Sequence, residues 1–412
     1  MDARRLVAVI IVLILMFLVV AVVALETGVL RRFGAPSGGL SARVLYVSAS
    51  GNCGDQDPCY DTIQTAVDAA STGDVIKVAA GEYTTDNPQV LTVRKGVQIL
   101  GGYRVGDWTH PDPLAHPAVV DAEQVPGRRG VYIDGSGVPT ITLSGFQIRR
   151  GHALESDGGG VYVAGGVVVL EHNTILSSTA DVYGGALFVS KGNVTLRSNS
   201  IRGNSAQYGA GLFVAGGDVT LEANTFLRNV AVPVGGVLAI DGGAVTAAND
   251  VIAQNALAGA GVYLTGGHLT ARHWTLVNNG RYGVIADLGI DIDSGSAMIQ
   301  NSIVALHRSG LCGAGAVAHQ TLFHDVSELC IAGASCINNL FGDPKFSDPS
   351  SGDYHISSGS AAVDQGYGVG LARDFDGESR PAGAASDIGA DEVWAKATFM
   401  PLVVRQFRPR VP

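Results

Sequence analysis

The middle of the chain repeats itself at a nearly fixed interval, and this repetition constrains the fold more than any other feature. One glycine recurs in each unit at spacings of 24 to 26 residues, at Gly166, Gly192, Gly217, Gly243 and Gly267. Around each glycine, short segments alternate apolar and polar residues, which is the pattern of strands with one buried face. Self-similarity at this period predicts a solenoid in which each unit forms one coil and packs mainly against its neighbours.

The composition of the chain and the residues of the repeat limit which class of fold the chain can adopt. The 412 residues include 56 glycines, 46% hydrophobic residues and only 16% charged residues, which excludes a disordered chain. The glycines follow no three-residue period, so a collagen-like chain is excluded as well. Leucine-rich repeats have units of this length, but the leucines at fixed offsets and the helical return that they need are missing. Three strands per unit therefore predict an all-β fold, a single-stranded parallel β-helix solenoid.

Two columns of polar residues are expected to stack at corners between strands. Asparagine and aspartate tolerate left-handed backbone geometry and bond to nearby backbone, so they suit sharp turns. At the strand spacing of ~4.8 Å, stacked amides can also bond along the column. We therefore predict a structural ladder in each column rather than a catalytic site. The first column is Asn173, Asn199, Asn224 and Asp250, and the second is Asn204, Asn229, Asn255 and Asn279.

One column of aromatic residues is the best candidate for a ligand-binding surface. Each member is the middle residue of the same strand in its coil, so the pleat should turn it outward. The stacked rings would form a stripe roughly 20 Å long, on which sugar rings can pack through their C–H groups. The alternative is that the rings only stabilise the sheet or lie beneath a covering loop. The column comprises Tyr162, Phe188, Phe213 and Tyr263, interrupted by Ala239.

The amino-terminal residues predict export. An unbroken apolar run from Leu6 to Leu25 is long enough to cross a hydrocarbon core of ~30 Å as a helix. We interpret residues 1–30 as a retained signal anchor, with a cleaved signal peptide as the alternative, and residues 31–43 as a linker. The rest of the chain is then expected in the cell envelope outside the cytoplasmic membrane, anchored by this helix or secreted.

The five cysteines are compatible with such a location. Cys53 with Cys59, and Cys330 with Cys336, each bracket a short loop that a disulfide can close. A metal site is the alternative, but the spacings are not the two-residue gaps of zinc ribbons and no histidine stands at ligand spacing. Cys312 is left over and could compete for either partner of the second pair.

From about residue 44 onwards, nearly the whole sequence resembles the right-handed parallel β-helix proteins, the fold shared by pectate lyases and many bacterial surface proteins. Residues 60–83 look like the amino-terminal cap and first coil of these proteins, including a short amphipathic helix near residues 61–71. The motifs at 343–346, 374–381 and 387–390 resemble the choice-of-anchor Q segment that follows β-helix coils in exported bacterial proteins. The resemblance implies a cap and first coils over 44–150, regular coils over 151–300, carboxyl-terminal coils and the anchor-like segment over 301–394, and a tail over 395–412.

Acidic side chains offer two places where calcium could bind. Asp291 and Asp293 alternate along one predicted strand and therefore share a face. Asp374 and Asp376 precede Gly377 with the alternate spacing of oxygen ligands in a calcium loop. A solvated acidic face at the first place and a hydrogen-bonded turn at the second are the alternatives, and no other cofactor is indicated.

The sequence assigns no catalytic residue. Resemblance to uronate lyases would require a carboxylate cluster that holds Ca²⁺, and resemblance to hydrolases would require paired carboxylates. The aspartates of the regular coils fall at different offsets, so we do not expect them to converge. We therefore expect a binding or adhesive surface module for extracellular polysaccharide or cell-surface glycan. A polysaccharide lyase or glycoside hydrolase is the alternative, and a structural envelope scaffold is a further one. The net charge of −10 argues against a nucleic-acid partner.

Overall fold

The computed structural model describes residues 42–232, 235–257, 259–280, 287–368 and 370–394. The predicted signal anchor over 1–30, most of the linker and the tail over 395–412 lie outside the described residues. In the part of the chain that is described, no helix is long and apolar enough to cross a membrane.

The described residues contain one helix and 38 short strands. The first half comprises β1 (Val44–Val47), β2 (Cys59–Tyr60), α1 (Ile63–Ala69), β3 (Val75–Ala79), β4 (Gly81–Tyr83), β5 (Gln89–Val93), β6 (Gln98–Tyr103), β7 (Ala118–Asp121), β8 (Arg129–Gly135), β9 (Ile141–Ser144), β10 (Phe146–Arg149), β11 (His152–Ala153), β12 (Val161–Glu171), β13 (Thr174–Leu176), β14 (Thr179–Ala180), β15 (Leu187–Val189), β16 (Asn193–Arg197), β17 (Ser200–Arg202), β18 (Ser205–Ala206) and β19 (Leu212–Val214). The second half comprises β20 (Asp218–Glu222), β21 (Thr225–Leu227), β22 (Val230–Ala231), β23 (Leu238–Ile240), β24 (Ala244–Ala248), β25 (Val251–Ala253), β26 (Ala256–Leu257), β27 (Ala260–Leu264), β28 (His268–Arg272), β29 (Thr275–Val277), β30 (Leu288–Ile292), β31 (Ser296–Gln300), β32 (Ile303–Cys312), β33 (Ala316–His319), β34 (Leu322–Ile331), β35 (Ser335–Ile337), β36 (Leu340–Phe341), β37 (Phe346–Asp348) and β38 (Asp353–Ile356).

Each strand of a coil pairs in parallel with the equivalent strand of the next coil. In β16 and β20, for example, Val194 lies opposite Val219 and Leu196 lies opposite Leu221. These four side chains point into the coil and are buried, whereas the residues between them face outward. The predicted solenoid is confirmed, because the period-two pattern leaves one apolar face per strand and stacking of coils is what buries it.

A short helix covers the amino-terminal end of the coils. It runs over Ile63–Ala69, inside the predicted interval of 61–71, and the Thr62 side chain accepts a hydrogen bond from the Thr65 N–H at its start. Ile63 and Val67 are buried, and the helix contacts β1, β2, β3 and β5. An apolar helical face at this place removes the end of the core from water.

The asparagine columns form continuous hydrogen-bonded ladders inside the turns. Asn199 is typical: its Oδ1 accepts from the Asn173 backbone N–H at 3.0 Å, and its Nδ2 donates to the Leu170 carbonyl oxygen at 2.8 Å. The second column repeats the pattern, since Asn229 Oδ1 accepts from the Asn204 N–H at 3.0 Å. All eight side chains of the two columns are buried. They satisfy backbone groups that a sharp turn removes from the strand ladders.

One ladder position holds an aspartate, Asp250, because a tryptophan of the next coil donates a hydrogen bond to it. Asp250 Oδ1 accepts from the Asn224 N–H at 2.8 Å, as an asparagine would, but its Oδ2 accepts from Trp274 Nε1 at 2.9 Å. Trp274 occupies the following ladder position, where its indole is a donor only. An amide nitrogen at residue 250 would therefore face a second donor, whereas a carboxylate oxygen can accept.

The carboxyl-terminal segment leaves the coils after β36 and packs along their outer surface. Strand β38, which pairs antiparallel with β37, places Tyr354 and Ile356 against outward-facing residues of the coils, and the turns that follow place Ile388 there. The Ala390 N–H also donates to Thr275 Oγ1 at 3.0 Å, and the Gly389 N–H donates to the Asn301 carbonyl oxygen at 2.8 Å. This face of the solenoid is therefore covered by its own chain.

The predicted disulfides are confirmed. Cys53 is bonded to Cys59, and Cys330 is bonded to Cys336. Cys312, the fifth cysteine, forms no disulfide and is half-buried.

Candidate functional site

The predicted aromatic column exists, but it is longer and more deeply covered than expected. The outward column runs through β8, β12, β15, β19, β23 and β27, with Ala239 as its interruption. Its rings stack from coil to coil at centroid distances of 5.5, 4.9 and 5.5 Å, within the range of favourable aromatic pairs. The members are Tyr132, Tyr162, Phe188, Phe213 and Tyr263.

The expectation of an exposed stripe is wrong for its two phenylalanines. Phe188 and Phe213 are only 7% and 6% exposed, although the pleat does turn them away from the coil interior. Two half-buried tyrosines cover them: Tyr183 lies 4.4 Å from Phe213 between ring centroids, and Tyr208 lies 5.7 Å from Tyr183. The phenylalanines therefore form a second, smaller apolar cluster outside the coils.

The two covering tyrosines are positioned by tight glycine turns. Gly184 and Gly209 follow Tyr183 and Tyr208 and have φ angles of 70° and 60°. A Cβ at either glycine would also lie 2.6 Å from a carbonyl oxygen three residues later, so a larger residue would not fit. The repeated Tyr-Gly pair was the signal in the sequence that would have identified the cover. We call the seven rings, the five of the column with Tyr183 and Tyr208, the aromatic face.

The aromatic face is cationic at one end and acidic at the other. The Arg94 guanidinium lies 5.3 Å from the Tyr132 ring centroid, and the Arg129 guanidinium lies 4.9 Å from that of Tyr162, both within cation–π range. At the other end, the Tyr263 hydroxyl donates to Asp293 Oδ2. The tyrosine rings between the two ends are half-buried, so each offers part of its surface to solvent.

The predicted pair Asp291 and Asp293 lies at this acidic end. Asp291 is half-buried beside Tyr263 and Cys312, its neighbours in the adjoining coils, whereas Asp293 is exposed. Burial, together with repulsion from Asp293, raises the pKa of Asp291. Among the described residues, neither aspartate belongs to a set of three potential metal ligands that converge.

The predicted pair Asp374 and Asp376 separates into two roles. Asp374 Oδ1 accepts from the Glu378 N–H at 2.7 Å and so stabilises the turn, the alternative foreseen for this loop. Asp376 Oδ2 lies 2.6 Å from Nε2 of His355, a residue of β38. In the described part of the chain, His355, Asp376 and Asp391 form the one set of three potential metal ligands that meet. No period in the sequence relates these three residues, because they lie beyond the repeating coils.

A charged cluster in the early coils was not predicted. Asp121 is fully buried and accepts hydrogen bonds from Arg149 Nε and Arg150 Nη2, each at 2.5 Å, while Glu82 pairs with Arg149 at 3.0 Å. Burial raises the pKa of Asp121, but the hydrogen bonds from Arg150, the Glu123 N–H and Arg149 outweigh it and hold the pKa near 2. Asp121 thereby satisfies both guanidinium groups, and we assign the cluster a structural role.

Comparison with known proteins agrees with the coil geometry. A family model described as the right handed beta helix region matches residues 129–304. The structure is similar to the crystal structure of pectate lyase Pel9A, with a TM-score of 0.60 and 15% sequence identity, over 86% of this chain and 97% of that chain. The fold is a right-handed parallel β-helix. A search of curated protein sequences finds no match. At 15% identity the likeness to the lyase concerns the fold, and no residue role is transferred.

Proposed function

We propose that this β-helix protein binds polysaccharide along its aromatic face. The observation that carries the proposal is the series of half-buried tyrosine rings on successive coils. Tyrosine combines an apolar ring face with a hydroxyl that can bond to a ligand, which suits a surface that is partly wet. The rings available to a ligand are those of Tyr132, Tyr162, Tyr183, Tyr208 and Tyr263.

The rigidity of the aromatic face supports this function. Tyr162 stacks on Phe188 at 4.9 Å, and Tyr208 lies 6.3 Å from Tyr263, so each ring is held by its neighbours before a ligand arrives. A side chain that is already ordered loses little conformational entropy on binding. Coils that are ~4.8 Å apart present the rings as a repeating track, which matches a repeating ligand such as an extended polysaccharide.

Electrostatics favour a neutral polysaccharide over a polyuronate. The protein has a net charge of −10, and Asp291 and Asp293 lie at one end of the aromatic face. A polyanion would be repelled by this field, especially at low ionic strength. Arg94 lies at the opposite end, where its positive charge would favour an acidic substituent on a glycan. A bound chain that carries such a substituent would therefore have a preferred orientation along the aromatic face.

Cleavage of a polysaccharide is the second candidate, and the similarity of the fold to that of pectate lyase Pel9A favours it. It predicts turnover of a uronate polymer that a chelator abolishes, since β-elimination by this fold is expected to need Ca²⁺. The assay is the appearance of unsaturated products, followed by ultraviolet absorbance, with and without chelator.

We also infer that the protein acts outside the cytoplasm. Two disulfides within the described residues support this, because such bonds persist in oxidising compartments. The apolar run over residues 6–25 and the likeness of the carboxyl-terminal motifs to choice-of-anchor Q segments remain predictions that agree with it. Retention of the full chain in the membrane pellet after a carbonate wash would support an anchor, and a soluble mature chain would refute it.

The binding proposal is tested with the full chain on an array of neutral and acidic glycans, followed by calorimetry on the best ligand. The informative variant is Tyr183→Leu with Tyr208→Leu, because leucine keeps an apolar cover over the phenylalanines but removes the flat ring. We expect a loss of about 1–3 kcal/mol for the two rings together, roughly a 5- to 150-fold weaker affinity.

A matched control separates this face from adventitious aromatic contacts. Tyr367 is 72% exposed and lies in the carboxyl-terminal segment, so Tyr367→Leu should leave glycan affinity unchanged. Phe213→Ala serves as the opposite control: it should lower thermal stability, because the ring is buried beneath Tyr183. Equal glycan affinity in the parent and the double leucine variant, with both proteins folded, would refute the proposal.

A further inference from the structure

The carboxyl-terminal segment brings side chains from three separate parts of the sequence to one place. His355 lies in β38, Asp376 lies in the turn that the Arg373–Ser379 bridge closes, and Asp391 lies near the end of the described residues. One ligand atom from each of the three lies within 4.8 Å of the others. Ligands at ~2.0–2.2 Å from a common ion fit within such a separation.

The imidazole of His355 is oriented as a metal ligand would be. Its Nδ1 lies 2.6 Å from Asp353 Oδ1, and this carboxylate also accepts the His355 backbone N–H at 3.0 Å. When Nδ1–H donates to Asp353, the lone pair of Nε2 points at the other two members of the set. A histidine that binds a metal usually donates its second N–H to a carboxylate in this way.

Asp374 provides an independent observation at the same place. It is only 3% exposed, and its Oδ2 is buried without a hydrogen-bond partner. It lies close enough to Asp391 and Asp376 to be repelled by the charges of both. A buried carboxylate oxygen without a donor is costly unless a proton or a cation satisfies it.

The charges around this group are unbalanced. Asp376 and Asp391 converge on His355, and Arg380, whose charge acts on Asp374 and Asp391, is already paired with Glu392 in a fully buried contact of 3.4 Å. A divalent cation bound to this set would neutralise the excess of negative charge.

We propose that His355, Asp376 and Asp391 bind a divalent transition-metal ion such as Zn²⁺. The imidazole decides the class of ion, because Ca²⁺ and Mg²⁺ prefer sites made of oxygens alone whereas imidazole suits Zn²⁺ and its neighbours. The site replaces the calcium loop expected from Asp374 and Asp376, and it does not depend on the binding of polysaccharide.

Such an ion would fasten the carboxyl-terminal segment to itself and to the coils. Asp391 also accepts the Ile356 N–H at 2.8 Å, and Ile356 packs with Ile388 in the cluster that covers the outer surface of the coils. The ion therefore links β38 to the last described residues. A buried site of this kind stabilises the folded state, since the ligands are not assembled in the unfolded chain.

The competing arrangement is a protonated His355 that bridges the carboxylates without a metal. Burial lowers the pKa of His355, but the adjoining carboxylates outweigh it and raise the pKa to about 9. An imidazolium would then donate to Asp353 and Asp376, and the protein would need no ion. The two arrangements differ in whether metal binds at all, so a direct measurement of metal separates them.

The experiment uses the full chain, stripped of metal with a chelator and then titrated with Zn²⁺ while metal content and melting temperature are measured. We expect one Zn²⁺ per chain and a rise in melting temperature. Co²⁺ bound in its place should give a visible d–d absorption band, whose position changes in His355→Gln. This spectrum needs no variant to establish binding in the parent.

Variants locate the ion. Asp376→Asn and Asp391→Asn should each weaken Zn²⁺ binding at least ~100-fold, and Asp353→Asn should weaken it about 10- to 100-fold through the orientation of His355. Asp348→Asn is the matched control: this exposed carboxylate lies on β37, and an asparagine keeps the acceptor for Ser350 Oγ. An absence of stoichiometric Zn²⁺ in the parent, or undiminished binding in folded Asp376→Asn, would overturn the proposal.

Discussion

Removing one amide from the first asparagine ladder tests whether the ladders hold the coils together. In Asn199→Ala, the Asn173 N–H loses its acceptor at 3.0 Å, and the Leu170 carbonyl oxygen loses a donor at 2.8 Å. The other partners keep a bond, since Asn173 Nδ2 still donates to the Leu143 carbonyl oxygen and Asn224 Oδ1 still accepts the backbone N–H of residue 199. The substitution therefore removes one hydrogen-bond partner from each of two buried backbone groups, the Asn173 N–H and the Leu170 carbonyl oxygen.

The magnitude follows from those two groups. A buried donor or acceptor that loses its partner costs about 1–3 kcal/mol, so Asn199→Ala should lower the free energy of unfolding by roughly 2–6 kcal/mol. Asn193→Ala is the matched control, because Asn193 is exposed on the same coil and its truncation should change stability by less than about 0.5 kcal/mol.

The assay is urea unfolding followed by far-ultraviolet circular dichroism and by tryptophan fluorescence. Coincident transitions of the two probes would show that the solenoid unfolds cooperatively and that a single free energy describes it. If Asn199→Ala lowered stability by no more than Asn193→Ala, the buried ladder would be a consequence of the coil and not one of its supports.

Two further predictions concern the same coils. Burial raises the pKa of Asp250 to about 7, above its value of about 3.9 in an unfolded chain, so the stability contributed by this group is complete below pH ~4 and is lost as the pH rises towards 7. Asp250→Asn should therefore lower the melting temperature more at pH 5 than at pH 8, and a larger effect at pH 8 would contradict the assignment. Deletion of residues 184–208 joins Tyr183 to Gly209 and recreates the pairing of equivalent strands, so it should express and melt closer to the parent than deletion of 184–196, which shifts every later register. Similar melting temperatures for the two deletions would refute the register argument.

The sequence by itself determined the features that repeat or that are local. Alternation in β16 and β20 predicts which residues are buried, because the side chains of a strand point to opposite faces and each coil has the same neighbours. The ladder that contains Asn199 follows from one aligned position in each coil. The Cys53–Cys59 disulfide could be predicted because the two cysteines bracket a short loop. The helix Ile63–Ala69 could be predicted because its apolar residues recur on one helical face.

Only the tertiary structure decided what covers the outside of the coils. The pleat predicts that Phe213 turns outward, but it cannot say that Tyr183 lies over it, because that contact depends on the path of a turn between strands. In the same way, His355, Asp376 and Asp391 meet because the carboxyl-terminal segment folds back on itself. No period links such residues, and their proximity arises from chain reversals whose direction is set by packing against the finished solenoid.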